Sequence, residues 1–147
     1  MTSAPEVPLT SHVLPPSVVD RLRDIVGSEH VYVSDGDVEP YARDATPLFH
    51  ARPDAVVLPS TTAQVSSILA MATERGIPVI PRGGGSNLSA ATVAQRGGIV
   101  MVLTRMNAIR EIDADELLAV VEPGVTTAEL ADAAAAKGLL YAPDPGS

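Results

Sequence analysis

The sequence predicts an α+β fold: a small mixed α/β subdomain followed by the start of a second sheet. Three observations predict it. In the first part of the chain, short apolar runs of strand length alternate with segments whose apolar residues recur at helical spacing. Later, "GGIVMVL", "AIREID" and "LLAVVEPG" follow one another with no helix between them, which excludes a long doubly wound repeat. Hydrophobic residues make up 46% of the 147 residues but aromatics only 3%, so the core must be built from Ala, Val, Leu and Ile.

The elements can be justified in order. Residues 1–16, rich in Pro, Ser and Thr, read as a flexible N-terminal arm ahead of a single domain spanning 17–147. From Ser17, the apolar residues Val18, Val19, Leu22, Ile25 and Val26 fall at helical spacing, and Gly27 is placed to end the helix. "VYVSDGDVEPYARDATPLFHARP" begins like a strand and continues as an irregular connection. Ala55 to Leu58 reads as a short buried strand. Thr61 and Gln64 form a capping box for a helix whose face is Val65, Ile68, Leu69 and Ala72, stopped by Gly76. "IPVIP" is the next strand, and a glycine loop leaves directly from its end. After the run of three strands, Thr126 and Glu129 form a second capping box, opening a helix that runs to Gly138.

The formal net charge is −8, so nucleic acid and anionic membrane surfaces are not expected as partners. An anionic ligand must be held by local backbone dipoles or a particular arginine. The absence of cysteine excludes disulfides, thiolate metal sites and cysteine nucleophiles, and it fits a reducing compartment. The N-terminus lacks a basic segment followed by an apolar run, so it does not read as a signal peptide. Runs such as "GIVMVL" are far too short to cross a bilayer. The expectation is a cytoplasmic chain without an integral membrane segment.

"PRGGGSNLSAA", Pro81 to Ala91, gives up side chains where something else is to approach the backbone. A P-loop needs a lysine followed by Ser or Thr after the last glycine, and no lysine lies between Gly83 and Gly98. A dinucleotide fingerprint would use Gly83, Gly85 and a glycine at position 88, where this chain has Leu88. What remains is a strand-to-loop cradle whose successive N–H groups curve around an anion, with donors added by Ser86, Ser89, Asn87 and Arg82. A flexible glycine turn beside a solvated arginine is the alternative, and the glycines alone leave both open.

The wider order and spacing of "VVLPSTTAQVSSILAMATERGIPVIPRGGGSNLSAA", "GGIVMVLTRMNAI", "VVEPGVT" and "YAPDPGS" resemble the FAD-binding domain of the vanillyl-alcohol oxidase superfamily, the PCMH type. Within it, the chain is similar to the FAD subunits of glycolate oxidase and D-lactate dehydrogenase, over about residue 17 to Ser147. The resemblance implies that the loop Pro81, Arg82, Gly83, Gly84, Gly85, Ser86, Asn87, Leu88 and Ser89 wraps the FAD pyrophosphate. It also implies that Met106 and Asn107 lie along the cofactor. Pro123, Gly124 and Val125, with Pro143, Asp144, Gly146 and Ser147, are implied to be cofactor-lining turns, in which proline fixes the bend and glycine exposes N–H groups. Two positions depart from the family pattern: Ser86 stands where Thr is common, and Ala90 and Ala91 stand where a glycine pair is common. Some superfamily members attach flavin through a histidine near this loop; "RGGGSN" has none, so the FAD is expected to be non-covalent.

The resemblance further implies a flavin-dependent oxidoreductase that takes hydride from the α-carbon of a small 2-hydroxy acid of the glycolate or D-lactate type. Family members continue well past the "PDPGS" turn into the parts that carry their substrate-binding and catalytic groups. This chain alone is therefore expected to be inactive: a fragment, a truncated product or one piece of a split enzyme that a second chain completes. Two other readings stand beside this one. One is a non-catalytic FAD-domain remnant or subunit that needs a partner. The other is an FAD- and NADPH-dependent cell-wall precursor reductase of the same superfamily, which the "YAPDPGS" ending disfavours.

Other candidates point to no further chemistry. His12, His30 and His50 lack metal-ligand spacing, and His50 reads as a loop or surface residue. Asp35, Asp37, Glu39 and Asp44 lack the loop length and terminal Glu of a calcium site and read as a solvated turn, so no metal is expected. Tyr41 to Asp44 matches a family segment that reads as structural. Arg105 and Arg110 read as exposed arginines, with cofactor phosphate as the alternative.

Overall fold

The computed structural model describes residues 13–143. Its main sheet has the order β1 (Val31–Tyr32), β2 (Ala55–Val57), β4 (Ile99–Val102), β3 (Val79–Arg82). β2, β4 and β3 are parallel, and β1 pairs antiparallel with β2 at one edge. Parallel strands are stable when both faces are covered, so their sequences run apolar without alternation. "AVV" and "IVMV" do so, and every residue of β2 and β4 is buried.

One face of the sheet carries Ala55, Val57, Ile99 and Met101, which pack under α1 (Pro16–Val26) and α3 (Thr62–Arg75) through Val18, Leu22, Ile68 and Met71. The other carries Val56, Val100 and Val102, covered by Val38, Tyr32, Tyr41 and Ala94. Leu14, ahead of α1, is buried in the first core beside Val18. The rest of the expected arm, residues 1–12, lies outside the described residues.

Local chemistry sets the helix ends. Pro16 opens α1 at a position that needs no intrahelical N–H bond, and the Gly27 N–H donates to the Arg23 carbonyl at 2.8 Å to close it. The Thr61 hydroxyl accepts from the Gln64 N–H at 3.2 Å, but Gln64 Oε1 accepts from the Ser60 N–H at 2.8 Å, so the box is closed one residue early. Gly76, at φ +65°, takes the left-handed cap of α3. The buried face of α3 is Ile68, Met71 and Ala72, whereas Leu69 is 42% exposed, which corrects the expected stripe. A second correction concerns the connection after β1. It contains one helical turn, α2 (Asp35–Val38), capped by the Ser34 hydroxyl and followed by a 3-10 turn at Glu39–Tyr41.

The second sheet is the hairpin of β5 (Ile109–Asp113) and β6 (Leu118–Val121), with a register shift between Ile109 and Glu111. α4 (Thr127–Ala135) follows, with its capping box complete: Thr126 N–H and hydroxyl both donate to Glu129 Oε2 at 2.8 Å, and Glu129 N–H donates to Thr126 Oγ1 at 3.2 Å. All four residues of β6 are exposed. Among the described residues, no helix is long and apolar enough to cross a membrane.

Candidate functional site

Open parallel sheets place ligands beyond the carboxyl ends of their strands, and the connections after β3 and β4 leave from that end here. The glycine loop leaves β3 after Arg82, and Leu103 to Asn107 leaves β4. Arg105 Nη1 donates to the Leu58 carbonyl at 2.7 Å, tying the ends of β4 and β2 together, which makes Arg105 a structural residue.

The stretch after β4 turns back on itself, with the Met106 N–H donating to Leu103 O at 3.0 Å. The Pro123–Val125 turn docks onto it: Gly124 N–H donates to Met106 O at 2.7 Å. A Cβ on Gly124 would lie 2.7–2.9 Å from the carbonyl oxygens of Leu103, Thr104 and Met106, so only glycine lets the two turns meet. Glu122 braces this junction. Its Oε2 accepts from the Ala108 N–H at 2.9 Å and its other oxygen pairs with Arg110, and these two donors, in that order, hold its carboxyl below the usual carboxylate range.

Between these parts lies a cleft of about 630 Å³. One wall is Gly83, Gly84 and Ser86; the other is Thr104, the Pro123–Val125 turn and the first turn of α4, with Tyr141 and Pro143 at the end. This volume is within the range of about 300–1,000 Å³ typical of small-molecule and cofactor sites. No charged side chain lines it among the described residues. The capping box satisfies the Thr126 and Glu129 N–H groups, whereas Thr127 and Ala128 are first-turn residues whose N–H groups have no partner within the helix. Both line the cleft, so the positive end of the helix dipole borders it. The three glycines differ in role. Built Cβ atoms on Gly83 and Gly84 meet nothing within 4 Å, whereas one on Gly85, at φ +76°, would collide with the Arg82 guanidinium.

The structure therefore brings Gly83, Gly84, Ser86, Pro123, Gly124, Val125 and Pro143 to one cleft. Arg82 is turned the other way and is 8% exposed. Its Nη1 donates to Arg43 O at 2.8 Å, and its guanidinium lies 5.7 Å over the Tyr41 ring. Burial draws its pKa below the usual arginine value and pushes that of Tyr41 up. Asn87 is also engaged by neighbours that do not line the cleft, its amide donating to Asp44 and accepting from Thr92. Met106 is buried; Pro81, Leu88, Ser89 and Asn107 are exposed and lie off the cleft walls. Asp144, Gly146 and Ser147 lie outside the described residues. Sequence reasoning missed Thr104 and the start of α4 as walls. The capping box at Thr126 was the available signal for the latter, read only as a helix start.

A family model described as an FAD binding domain matches residues 53–147. The chain belongs to this FAD-binding family. It is 41% identical over 130 residues to the glycolate oxidase subunit GlcD of Bacillus subtilis, covering 88% of this chain and 28% of that protein. It is 32% identical over 132 residues to the D-lactate dehydrogenase of Anaerostipes hadrus, again covering 28% of the relative. Among solved structures, it matches p-cresol methylhydroxylase with substrate bound at a TM-score of 0.74 and 31% identity, covering 84% of this chain and 25% of that one. An alkyldihydroxyacetonephosphate synthase matches at a TM-score of 0.79 and 21% identity, a likeness of fold. The chain thus spans little more than a quarter of the length of these relatives. The fold is the N-terminal part of the PCMH-type FAD-binding domain, and the cofactor is FAD. A cleft without charged side chains among the described residues, bordered by a glycine loop and a helix N-terminus, fits a dinucleotide whose diphosphate needs its charge spread over backbone dipoles.

Proposed function

We propose that residues 17–147 form the FAD-binding unit of a flavin-dependent oxidoreductase acting on a small 2-hydroxy acid of the glycolate or D-lactate type. The observation that carries the reading is the cleft between the glycine loop and the start of α4, lying inside the span that the FAD-binding family model matches. The substrate class is supported by what two relatives are called, a glycolate oxidase subunit and a D-lactate dehydrogenase.

Gly83, Gly84 and Ser86 hold the diphosphate bridge from one side with backbone N–H groups. Thr127 and Ala128 face it from the other, so that among the described residues backbone dipoles hold the anion in a chain of net charge −8. Pro123, Val125 and Pro143 wall the cleft, and Arg82, Gly85, Asn87 and Met106 keep the loop and turn in shape. Bound FAD supplies the hydride-accepting chemistry. Tyr141 is the only titratable side chain among the described lining residues, so these walls bind and orient rather than move protons. The loop contains no histidine, which suits a non-covalent cofactor, and a cysteine-free chain suits the cytoplasm.

A flavin-fluorescence titration of wild type and Gly84→Asp tests the cleft. The built Cβ at Gly84 meets nothing, so the variant keeps its fold while placing a carboxylate in the cradle. Affinity is expected to fall by about tenfold or more, since like charges brought together cost several kcal/mol. Equal affinities overturn the reading. For the substrate class, reduction of the flavin in the whole protein by glycolate or D-lactate is expected, and a flavin-loaded protein reduced by neither rejects it. A second reading, an FAD-domain subunit completed by another polypeptide, is favoured by the exposed apolar residues Leu117, Leu118, Val120, Val121 and Leu140.

A further inference from the structure

We infer that Asp44 is a positioning residue for the flavin cleft: its carboxylate shapes the glycine loop from the side opposite the cofactor. The inference rests on the reading above, that Gly83, Gly84 and Ser86 face the FAD diphosphate.

Asp44 lies far from the loop in sequence and is half-buried behind it. Its Oδ2 accepts from Asn87 Nδ2 and from the Ala90 N–H, both at 2.7 Å, and its Oδ1 accepts from the Thr46 N–H at 3.0 Å. The residues beside it reinforce the contact. Arg43 O accepts from Arg82 Nη1 at 2.8 Å, and the Ala45 N–H donates to the Asn87 carbonyl at 3.1 Å. Thr92 Oγ1 donates to Asn87 Oδ1 at 2.9 Å and closes the ring. Of these residues, none lines the cleft, whereas Gly83, Gly84 and Ser86 do.

The loop thus has a bare front and a fully engaged rear. A side-chain-poor segment loses more conformational entropy on ordering than any other and cannot hold itself by packing. Its shape must come from outside, and a carboxylate accepting several N–H groups is a strong short tether. The same tether holds Ala90 at φ +56°, a conformation that a residue with a Cβ avoids when free. A loop ordered in advance binds more tightly because less freedom is lost on binding.

Coulomb's law predicts the opposite sign. A carboxylate beside a diphosphate site repels it, so removing the charge should tighten binding if Asp44 has no positioning role. Asp44→Asn separates the two effects: it keeps the size and one acceptor oxygen, but turns an NH₂ toward a ring of donors.

The test compares FAD affinity in wild type, Asp44→Asn, Asp44→Ala and Gly84→Asp. It adds amide hydrogen exchange, without FAD, at Ala45 and Ala90 and along the β2–β4 ladder. Asp44→Asn is expected to weaken FAD binding about tenfold and Asp44→Ala more, about 1.4 kcal/mol for each factor of ten. Exchange is expected to quicken at Ala45 and Ala90 while the ladder stays protected. Unchanged or tighter binding by Asp44→Asn, with Gly84→Asp still weakened, overturns the role of Asp44 and leaves the cleft reading intact. No effect from Gly84→Asp removes both. Unchanged protection at Ala90 in Asp44→Asn overturns the tether whatever the flavin does. If neither Asp44 variant folds, Asn87→Ala cuts the opposite end of the tether and is read against the same outcomes.

Discussion

Leu117 ends the β5–β6 turn at φ +55°, a left-handed conformation that costs a side chain with a Cβ about 1–2 kcal/mol. The turn imposes it: Asp113 Oδ1 accepts from the N–H groups of Asp115 and Glu116, each at 3.0 Å, which fixes the chain just before Leu117. The side chain is 76% exposed, so little packing offsets the strain. Asparagine adopts this conformation readily and, unlike glycine, adds little freedom to the unfolded chain. Leu117→Asn is expected to stabilise the chain by about 1 kcal/mol and raise the thermal midpoint by about 2–4 °C. A lowered midpoint in a calorimetric scan would show that the strain is absent. At this scale the sequence was only partly legible. Gly83, Gly84 and Gly85 look alike in a row, but the first two open onto space and the third makes room for Arg82. Arg82 itself read as a charge for the ligand, because the groups that turn it inward, Tyr41 and Arg43 O, lie about forty residues upstream with no short-range signal.

At the scale of elements, caps and periodicity carried most of the information. Gly27, Gly76, Thr61 and Thr126 mark helix ends in sequence because each satisfies an orphan backbone group by itself or with a near neighbour. α2 escaped notice because a single turn is too short for a 3.6-residue period to register. What could not be read was that "RMN" and "EPG" form one junction, since a contact between two turns leaves no periodic trace. Gly124→Ala tests that junction. The atoms crowding its built Cβ are three backbone carbonyl oxygens, which cannot swing aside as a side chain would. The hairpin and α4 must shift away from the end of β4, at a cost of about 1–3 kcal/mol, as for other overpacked sites. Gly84→Ala, whose built Cβ meets nothing, is the matched control, expected to stay within about 0.5 kcal/mol of wild type. Urea midpoints measure both. Equal losses at the two positions would mean that crowding at Gly124 is not what makes it glycine.

Over the whole molecule, a charge of −8 and a few well-bonded glutamates act in opposite directions as pH falls. Glu39 is held below its ordinary value of 4.5 by His50 and Arg52, Glu122 by the Ala108 N–H and Arg110, and Glu129 by the Thr126 N–H and hydroxyl. Between neutral pH and the isoelectric point near 4.7, protonation reduces net negative charge and self-repulsion, while these three carboxylates stay ionised. A carboxyl whose folded pKa is depressed contributes stability that is fully present above its unfolded pKa and lost as pH falls through the folded one. The thermal midpoint should therefore hold or rise from pH 7 to about 5, then fall below about 4.5 as the folded state begins to bind fewer protons than the unfolded chain. Glu129→Gln should lower the midpoint at neutral pH, because the α4 capping box loses its ionised acceptor, and should make the acid-side fall shallower. The scan belongs at low protein concentration, since near the isoelectric point copies no longer repel one another while Leu118, Val120 and Leu140 remain exposed. A midpoint that declines steadily from pH 7, with the same slope in Glu129→Gln, would mean that these glutamates do not set the acid limit.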